Sequence, residues 1–177
     1  YAPWQEVQLM DGLGDLYDAG LVSEIGVSNM GPNRLRWFYD RFNIRGIKLK
    51  SLQIQFSLLS PEPKKYSQII DICTELNIEL LAYSPLALGV LTTSPEEINP
   101  RKSTLLRNQL FSRLLPGSLA LRRELNSIAI ERGVSMAQVA LNWCRAHGAI
   151  PIVGLRHVSH SKDAVEASRW KLTKKEK

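Results

Sequence analysis

Apolar residues recur along this chain with two different periods, and the change from one period to the other predicts its elements. In residues 4–19 they return every three or four positions, which is typical of an amphipathic helix that ends near Gly20. In residues 50–57 apolar and polar side chains alternate, which indicates a strand. The predicted elements, in chain order, are a helix over 4–19, a strand over 24–27, a helix that begins at Pro32 and buries Leu35, Phe38, Tyr39 and Phe42, a strand over 50–57, a helix marked by Tyr66 to Leu76, a strand over 78–83, a helix from Leu121 to Gly133, a helix from Ser135 to Gly148, a strand over 150–153 and a short helix from about Val158.

Strands and helices alternate in this order, so the pattern predicts an α/β fold. The early strand centres lie about 26–29 residues apart, as in βαβ units with a parallel sheet. A (β/α)8 barrel needs about 250 residues and eight strands. We therefore expect residues 1–177 to form a partial barrel domain with four parallel strands. Two further segments are predicted to lack regular structure: a long loop over 86–117, in a stretch with four prolines, and a charged tail over 174–177.

The composition excludes several classes of protein. Of the 177 residues 44% are hydrophobic, and no run of 18 apolar residues occurs, so we expect a soluble protein without a membrane segment. Cys73 and Cys144 lie far apart within helical patterns and lack metal-ligand spacing. They predict buried thiols in a reducing compartment (cytoplasm or plastid) and no metal site. The chain begins without Met or a signal-peptide pattern, so we expect it to be part of a longer protein.

Charge is divided unequally between the two parts of the chain. Residues 1–100 carry 8 Lys and Arg against 12 Asp and Glu, and residues 101–177 carry 15 against 5, so the net charges are −4 and +10. Solvated helix faces, a site for an anionic small molecule and a nucleic-acid surface all remain open as explanations. Aromatic residues do not interleave with the basic ones, and no nucleic-acid-binding motif accompanies them, so we predict no nucleic-acid partner.

Candidate functional residues lie in or directly after the predicted strands, where parallel α/β barrels place their functional groups. They are Ser28 and Asn29 after the first strand, Gln53 and Gln55 in the second, Tyr83-Ser84-Pro85 after the third, and Gly154-Leu155-Arg156 after the fourth. Each also has a purely structural explanation: Ser28 and Asn29 can cap a helix, and Tyr83 can belong to the core. Gly12-Leu13-Gly14 lacks the third glycine of a Rossmann fingerprint and lies within a helical pattern, so it predicts no dinucleotide site.

Five segments in the same order resemble motifs of the aldo-keto reductases, and the resemblance covers nearly the whole chain. They are Ile25-Gly26-Val27-Ser28-Asn29, Gln53-Ile54-Gln55-Phe56-Ser57, Leu81-Ala82-Tyr83-Ser84-Pro85-Leu86, Gln138-Val139-Ala140-Leu141-Asn142-Trp143 and Pro151-Ile152-Val153-Gly154-Leu155-Arg156. The resemblance implies a (β/α)8 barrel that uses NADPH to reduce aldehydes or ketones to alcohols. This chain would supply the fifth to eighth strands.

The resemblance also implies a role for each matching residue. Ser28, Asn29 and Gln53 would bind the nicotinamide carboxamide, and Tyr83 would stack on the ring. Ser84 and Leu86 would line the pyrophosphate. Gly154 and Arg156 would lie near the adenosine 2′-phosphate, where positive charge of the second half of the chain would favour NADPH. The last helix of the family often carries Gln and Asn that face the adenosine, and this chain has His160 and Ala164 in their place. His160 can still donate a hydrogen bond, whereas Ala164 cannot.

None of the residues matches the family's catalytic Asp, Tyr, Lys and His, which belong to its first four strands. Tyr17, Tyr39 and Tyr66 lie in helical patterns instead. We therefore expect no catalytic residue here and no carbonyl reduction by the chain alone, with a missing half-barrel or self-association completing its contacts. Two alternatives remain: a short non-catalytic nucleotide-binding or assembly module, and a different phosphate-binding barrel such as an aldolase or isomerase. The last is disfavoured because no Lys or carboxylate pair ends a strand.

Overall fold

The computed structural model describes residues 5–60, 63–97 and 105–177. Alternation of strands and helices is confirmed. The elements are α1 (Glu6–Asp18), β1 (Ile25–Ser28), α2 (Pro32–Ile44), β2 (Leu49–Gln55), α3 (Pro63–Glu75), β3 (Glu79–Tyr83), a 3-10 segment (Ala87–Thr92), α4 (Leu105–Gly117), α5 (Leu119–Arg132), α6 (Met136–Ala146), β4 (Ala149–Ile152) and α7 (Val158–Ala167).

The four strands form one parallel sheet in the order β1-β2-β3-β4. The chain divides into two compact units, and β3 contributes residues to both. Unit 1 comprises Tyr1–Ile54 and Glu62–Leu81, and unit 2 comprises Gln55–Pro61 and Ala82–Lys177.

Unit 1 buries the apolar face of α2 and the alternate residues of β2. Leu35, Phe38 and Phe42 of α2 are each at most 1% exposed, and the rings of Phe38 and Phe42 lie 6.4 Å apart. In β2, Leu52 and Ile54 are buried while Gln53 is half-buried. The predicted alternation therefore holds within the strand.

The pairing of β1 with β2 requires a residue without a side chain at position 26. Gly26 lies opposite Ser51, next to a register shift between Ile25 and Gly26. A Cβ at position 26 would overlap the Ser51 hydroxyl and approach the Ser51 carbonyl oxygen to 3.2 Å. Glycine thus permits the close approach of the two strands just before Ser28.

Unit 2 has a core built from its helices and the 3-10 segment. Val90 and Leu91 of the 3-10 segment are fully buried among residues of α4, α5 and α6. Other members of this cluster are Phe111, Leu115, Leu125, Ile128, Ala129, Met136, Val139, Ala140 and Leu172. The chain that follows β3 is therefore anchored in the core.

The prediction of a long loop over 86–117 is wrong for much of that segment, because it contains the 3-10 segment and α4. Within α4, Phe111 and Leu115 belong to the buried cluster and lie one helical turn apart. Pro116 lies in the last turn of α4. The prolines of this stretch predict irregular structure, but Pro116 lies where a helix ends and is tolerated there.

The charged tail over 174–177 is likewise attached to unit 2. Both carboxylate oxygens of Glu176 accept hydrogen bonds from Arg132, at 2.7 and 2.6 Å, and Glu176 also accepts from the Thr173 N–H at 2.7 Å. Arg132 lies over the Trp170 ring at 4.9 Å. The sequence shows only a run of charged residues here, so it does not predict the pairing of Glu176 with Arg132.

Candidate functional site

Ser28 and Asn29, at the carboxyl end of β1, meet Gln53 of β2 in unit 1. The Asn29 N–H donates to the Gln53 carbonyl oxygen at 2.8 Å, and the Ser28 hydroxyl donates to the same oxygen at 3.1 Å. Asn29 adopts the left-handed conformation with φ 54°, so the chain turns sharply as the strand ends. The structure thus brings these three predicted residues together, and we call them the strand-end cluster.

The Gln53 side chain supplies the uncommitted polar group of the strand-end cluster. It is half-buried and has no hydrogen-bond partner among the described residues. A carboxamide offers two N–H donors and one acceptor oxygen. Gln53 can therefore bind a ligand group that itself donates and accepts.

The turn after β3 in unit 2 carries Ser84 and Leu86. Ser84 has φ 53°, and its carbonyl accepts the N–H of Ala87 at 2.9 Å. Leu86 packs against the unit 2 core, and its carbonyl accepts the N–H of Gly89 at 2.9 Å. Ala87, Leu88 and Gly89 all have positive φ as well, so a strained turn directs the chain away from the strand end.

The turn after β4 carries Gly154 and Arg156 and leads into α7. Both residues are exposed, and nothing lies within 4 Å of where a Gly154 side chain would begin. The Arg156 N–H donates to His160 Nδ1 at 3.4 Å, and the rings of His157 and His160 lie 5.1 Å apart. The Arg156 guanidinium has no partner among the described residues, so it is available to an anion.

A groove of about 2020 Å³ in unit 2 joins these two turns. Its walls include five of the predicted site residues, namely Ser84, Leu86, Gly154, Arg156 and His160. Tyr83 is not among the described residues that line it; its carbonyl instead accepts the Phe56 N–H at 3.3 Å. The groove exceeds the roughly 300–1,000 Å³ of a typical small-molecule pocket, so it can accept an extended ligand.

Positive charge is not concentrated in this groove. Its described lining holds Arg113 and Arg156 together with Glu97 and Asp163. Most of the basic residues that the structure describes in 108–177 therefore lie outside this groove. Arg156, beside the N-terminus of α7, is the local cationic feature at the β4 end.

Sequence reasoning missed the polar contacts from α6 that position α7. Gln138 donates from Nε2 to Asp163 Oδ1 at 2.9 Å, and Asn142 donates to the Ala167 carbonyl at 2.9 Å. Arg145 donates to the same carbonyl at 2.6 Å. Gln138, Asn142 and Arg145 are separated by four and then three residues. This spacing places them on one face of α6 and is the sequence signal for a polar stripe there.

The two cysteines are buried free thiols, as predicted. Cys73 is 3% exposed, Cys144 is fully buried, and burial raises their pKa values to about 11 and about 12. No cluster of three His, Cys, Asp or Glu residues able to hold a metal occurs in the described part of the chain. Among the same residues, no helix is both long and apolar enough to cross a membrane.

Comparison with known proteins settles the family. The sequence profile of the Aldo/keto reductase family matches residues 3–177. The chain belongs to this family. It is 46% identical over 176 residues to a chloroplastic pyridoxal reductase of Arabidopsis thaliana, a match that covers 99% of this chain and 47% of the relative. It is also 30% identical over 174 residues to a putative aryl-alcohol dehydrogenase of Schizosaccharomyces pombe, which covers 96% of this chain and 48% of that protein.

Solved aldo-keto reductases share the fold. A glycerol dehydrogenase from Gluconobacter oxydans superposes with a TM-score of 0.75 at 24% identity, over 93% of this chain and 49% of that one. A thermostable aldo-keto reductase solved with the inhibitor epalrestat superposes with a TM-score of 0.67 at 20% identity, over 94% and 50%. The chain thus spans about half the length of the relatives that it matches, and its fold corresponds to four strands of a (β/α)8 barrel.

Proposed function

We propose that this aldo/keto reductase chain supplies the NADPH-binding part of an enzyme that reduces aldehydes or ketones to alcohols. Taken separately, the strand-end cluster of unit 1 would hold a nicotinamide carboxamide, and the groove of unit 2 would hold phosphate groups. The observation that carries the proposal is the unpartnered guanidinium of Arg156 beside Gly154 at the N-terminus of α7. Backbone N–H groups and a guanidinium together favour phosphate.

Within each unit by itself, described residues support the binding of one part of such a cofactor. Gln53 presents a carboxamide without a protein partner, which matches a ligand carboxamide in donors and acceptors. At Gly154 the open space lets a ligand approach the backbone. In the groove of unit 2, Ser84 and Leu86 would contact the pyrophosphate, and His160 would contact the adenosine.

The bound cofactor would supply a hydride, and the residues of this chain would orient it. Ser28, Asn29 and Gln53 would select the face of the nicotinamide ring that is presented to the carbonyl. Tyr83 would pack against the ring and exclude water. Arg156 would favour NADPH over NADH by pairing with the 2′-phosphate.

A carbonyl oxygen also needs a proton donor, and we propose that this chain provides none. Tyr17, Tyr39 and Tyr66 lie within α1, α2 and α3 and not in a strand or in the turn after one. The 177-residue chain would then bind the cofactor without reducing a substrate.

The names of two relatives suggest a substrate class. Pyridoxal reductase and aryl-alcohol dehydrogenase both denote chemistry at a carbon attached to an aromatic ring. We propose an aromatic aldehyde of this kind as the substrate of the complete enzyme. A plastid location is the compartment that the chloroplastic relative supports.

An assembly module is the second candidate, and β4 favours it. β4 is the last strand of the sheet and pairs along one edge only among the residues that the structure describes, and Ile150 and Ile152 are 51% and 43% exposed. A missing half-barrel or a second copy would cover them. Analytical ultracentrifugation that shows only a monomer at about 50 µM would count against self-association.

NADPH titration of the 177-residue chain tests the main proposal. The unsubstituted chain should bind NADPH more tightly than NADH, and Arg156→Gln should weaken NADPH binding about tenfold while changing NADH binding little. Arg169→Gln is the matched control, since Arg169 is exposed and pairs with Glu166. A chain that binds no NADPH, or that binds it equally well without Arg156, contradicts the proposal.

A further inference from the structure

Arg122 of α5 is buried in unit 2 and binds three main-chain carbonyls. It is 3% exposed. One terminal nitrogen donates to the carbonyl oxygens of Thr93 at 3.3 Å and Ser94 at 2.7 Å, and the other donates to that of Leu115 at 3.3 Å. Arg122 therefore joins the chain that follows β3 to the end of α4.

The charge of Arg122 is not neutralised by a direct ion pair with any described residue. Burial lowers the pKa of the guanidinium, and Glu96 and Glu97 oppose that effect from a distance. Its Nε–H is buried without an acceptor among the described residues. Burying a guanidinium in this way costs free energy. The contribution of Arg122 therefore lies in holding the residues whose carbonyls it binds in fixed positions.

The segment that Arg122 holds forms one wall of the groove. Thr92, Thr93 and Ser94 all line it. The hydroxyls of Thr92 and Thr93 donate to the Gly89 carbonyl at 3.0 and 3.1 Å, which links this wall to the left-handed turn after Ser84. Releasing Thr93 and Ser94 would therefore loosen the wall on the side of the predicted pyrophosphate contacts.

We propose that Arg122 is a positioning residue that fixes residues 92–94 along the groove, and that NADPH affinity depends on it without direct contact. The dependence on NADPH rests on the proposed function. The attachment of the segment to α5 does not.

Two measurements on Arg122→Met, Arg122→Lys and Arg123→Met test this role. Arg123 is the adjacent residue on α5 and is exposed, so Arg123→Met makes the same charge change without losing the carbonyl contacts. A glutamyl endopeptidase reports release of the segment by cleavage after Glu96 or Glu97, with cleavage after Glu131 and Glu166 as internal references. NADPH titration of the same variants reports the groove.

Arg122→Met should be cleaved about tenfold faster after Glu96 or Glu97 and should bind NADPH about tenfold more weakly than the unsubstituted chain. Arg122→Lys should lie between the two, because an ammonium keeps the charge but does not span both sets of carbonyls. Arg123→Met should stay within about twofold of the unsubstituted chain in both measurements. If Arg122→Met does not fold, Arg122→Lys is compared with Arg123→Met instead. The cleavage rate after Glu96 or Glu97 and the NADPH affinity are then each expected to differ about threefold between these two variants.

Cleavage at Glu96 and Glu97 that is no faster than in Arg123→Met, or that rises equally at Glu131 and Glu166, overturns the attachment. Faster local cleavage with unchanged NADPH affinity overturns the role in the groove. An unsubstituted chain that binds no NADPH overturns the proposed function instead, and the cleavage comparison then still decides whether Arg122 holds the segment.

Discussion

The hydroxyl of Ser28 donates its proton to the main-chain carbonyl of Gln53, across the pairing of β1 with β2, at 3.1 Å. A serine hydroxyl has a single proton, so Ser28 can offer only its lone pairs to a ligand. The Gln53 carboxamide keeps both donor and acceptor. A ligand carboxamide would therefore donate to Ser28 and exchange hydrogen bonds with Gln53.

Gln53→Ala should weaken NADPH binding about tenfold, because the cofactor carboxamide would lose hydrogen bonds in a half-buried site. Gln55→Ala is the control on the same strand, since Gln55 is exposed. Isothermal titration of both variants checks the difference. Equal affinities for the two would remove Gln53 from the binding residues.

Gly26→Ala should destabilise the chain by about 1–3 kcal/mol, because its methyl group would meet the Ser51 side chain and carbonyl. Gly12→Ala should have the opposite effect, since Gly12 lies inside α1 with open space around it. A gain of about 0.5–1 kcal/mol is expected there from helix propensity. Urea unfolding measures both, and a tolerated Gly26→Ala would refute the close approach of the strands.

The pair formed by Glu176 and Arg132 should make stability depend on pH in acid. The Arg132 hydrogen bonds, with those from Thr173, lower the pKa of Glu176 from 4.5 to about 2. A depressed pKa stabilises the fold at pH values above 4.5, and this contribution disappears as the pH falls from 4.5 towards 2. Melting temperatures of the unsubstituted chain and Glu176→Gln should therefore differ at pH 6 and converge near pH 2. Parallel curves would show that the pair does not contribute.

Neither thiol should react readily in the folded chain. Burial raises the pKa of Cys73 to about 11 and that of Cys144 to about 12, so little thiolate exists at pH 8. A colorimetric disulfide reagent should modify both thiols in urea and neither within minutes in buffer. Rapid modification of one thiol in buffer would reveal local opening around it.

The sequence predicts the strands and most helices because their buried residues repeat with a clear period. Gln53 between Leu52 and Ile54 is an example, since alternation alone places it on the face opposite the buried side chains. It does not predict α4, whose burial depends on a few residues such as Phe111 and Leu115, because this helix packs against α5 and the 3-10 segment only after folding. Tertiary packing rather than local pattern makes this segment helical.

The residues of the candidate site also fall into those that the sequence predicts and those that it does not. Residues next to strand ends, such as Ser28 and Arg156, can be found from sequence because parallel strands present their carboxyl ends to a site. The Ser135 hydroxyl caps α6 by accepting a hydrogen bond from the Gln138 N–H at 3.2 Å, whereas the Gln138 side chain donates to Asp163. The partners of Gln138 and Arg122 are distant in the sequence, so no local pattern reveals them.

The turn after β3 has a consequence for protein engineering. Leu88 and Gly89, with φ 57° and 102°, form the mirror-image turn that asparagine and glycine usually occupy. A leucine there, 54% exposed on the groove, is a residue that folding alone would not select. Directed evolution for thermal tolerance should therefore replace Leu88 early, and selection for ligand binding should restore an apolar side chain at that position.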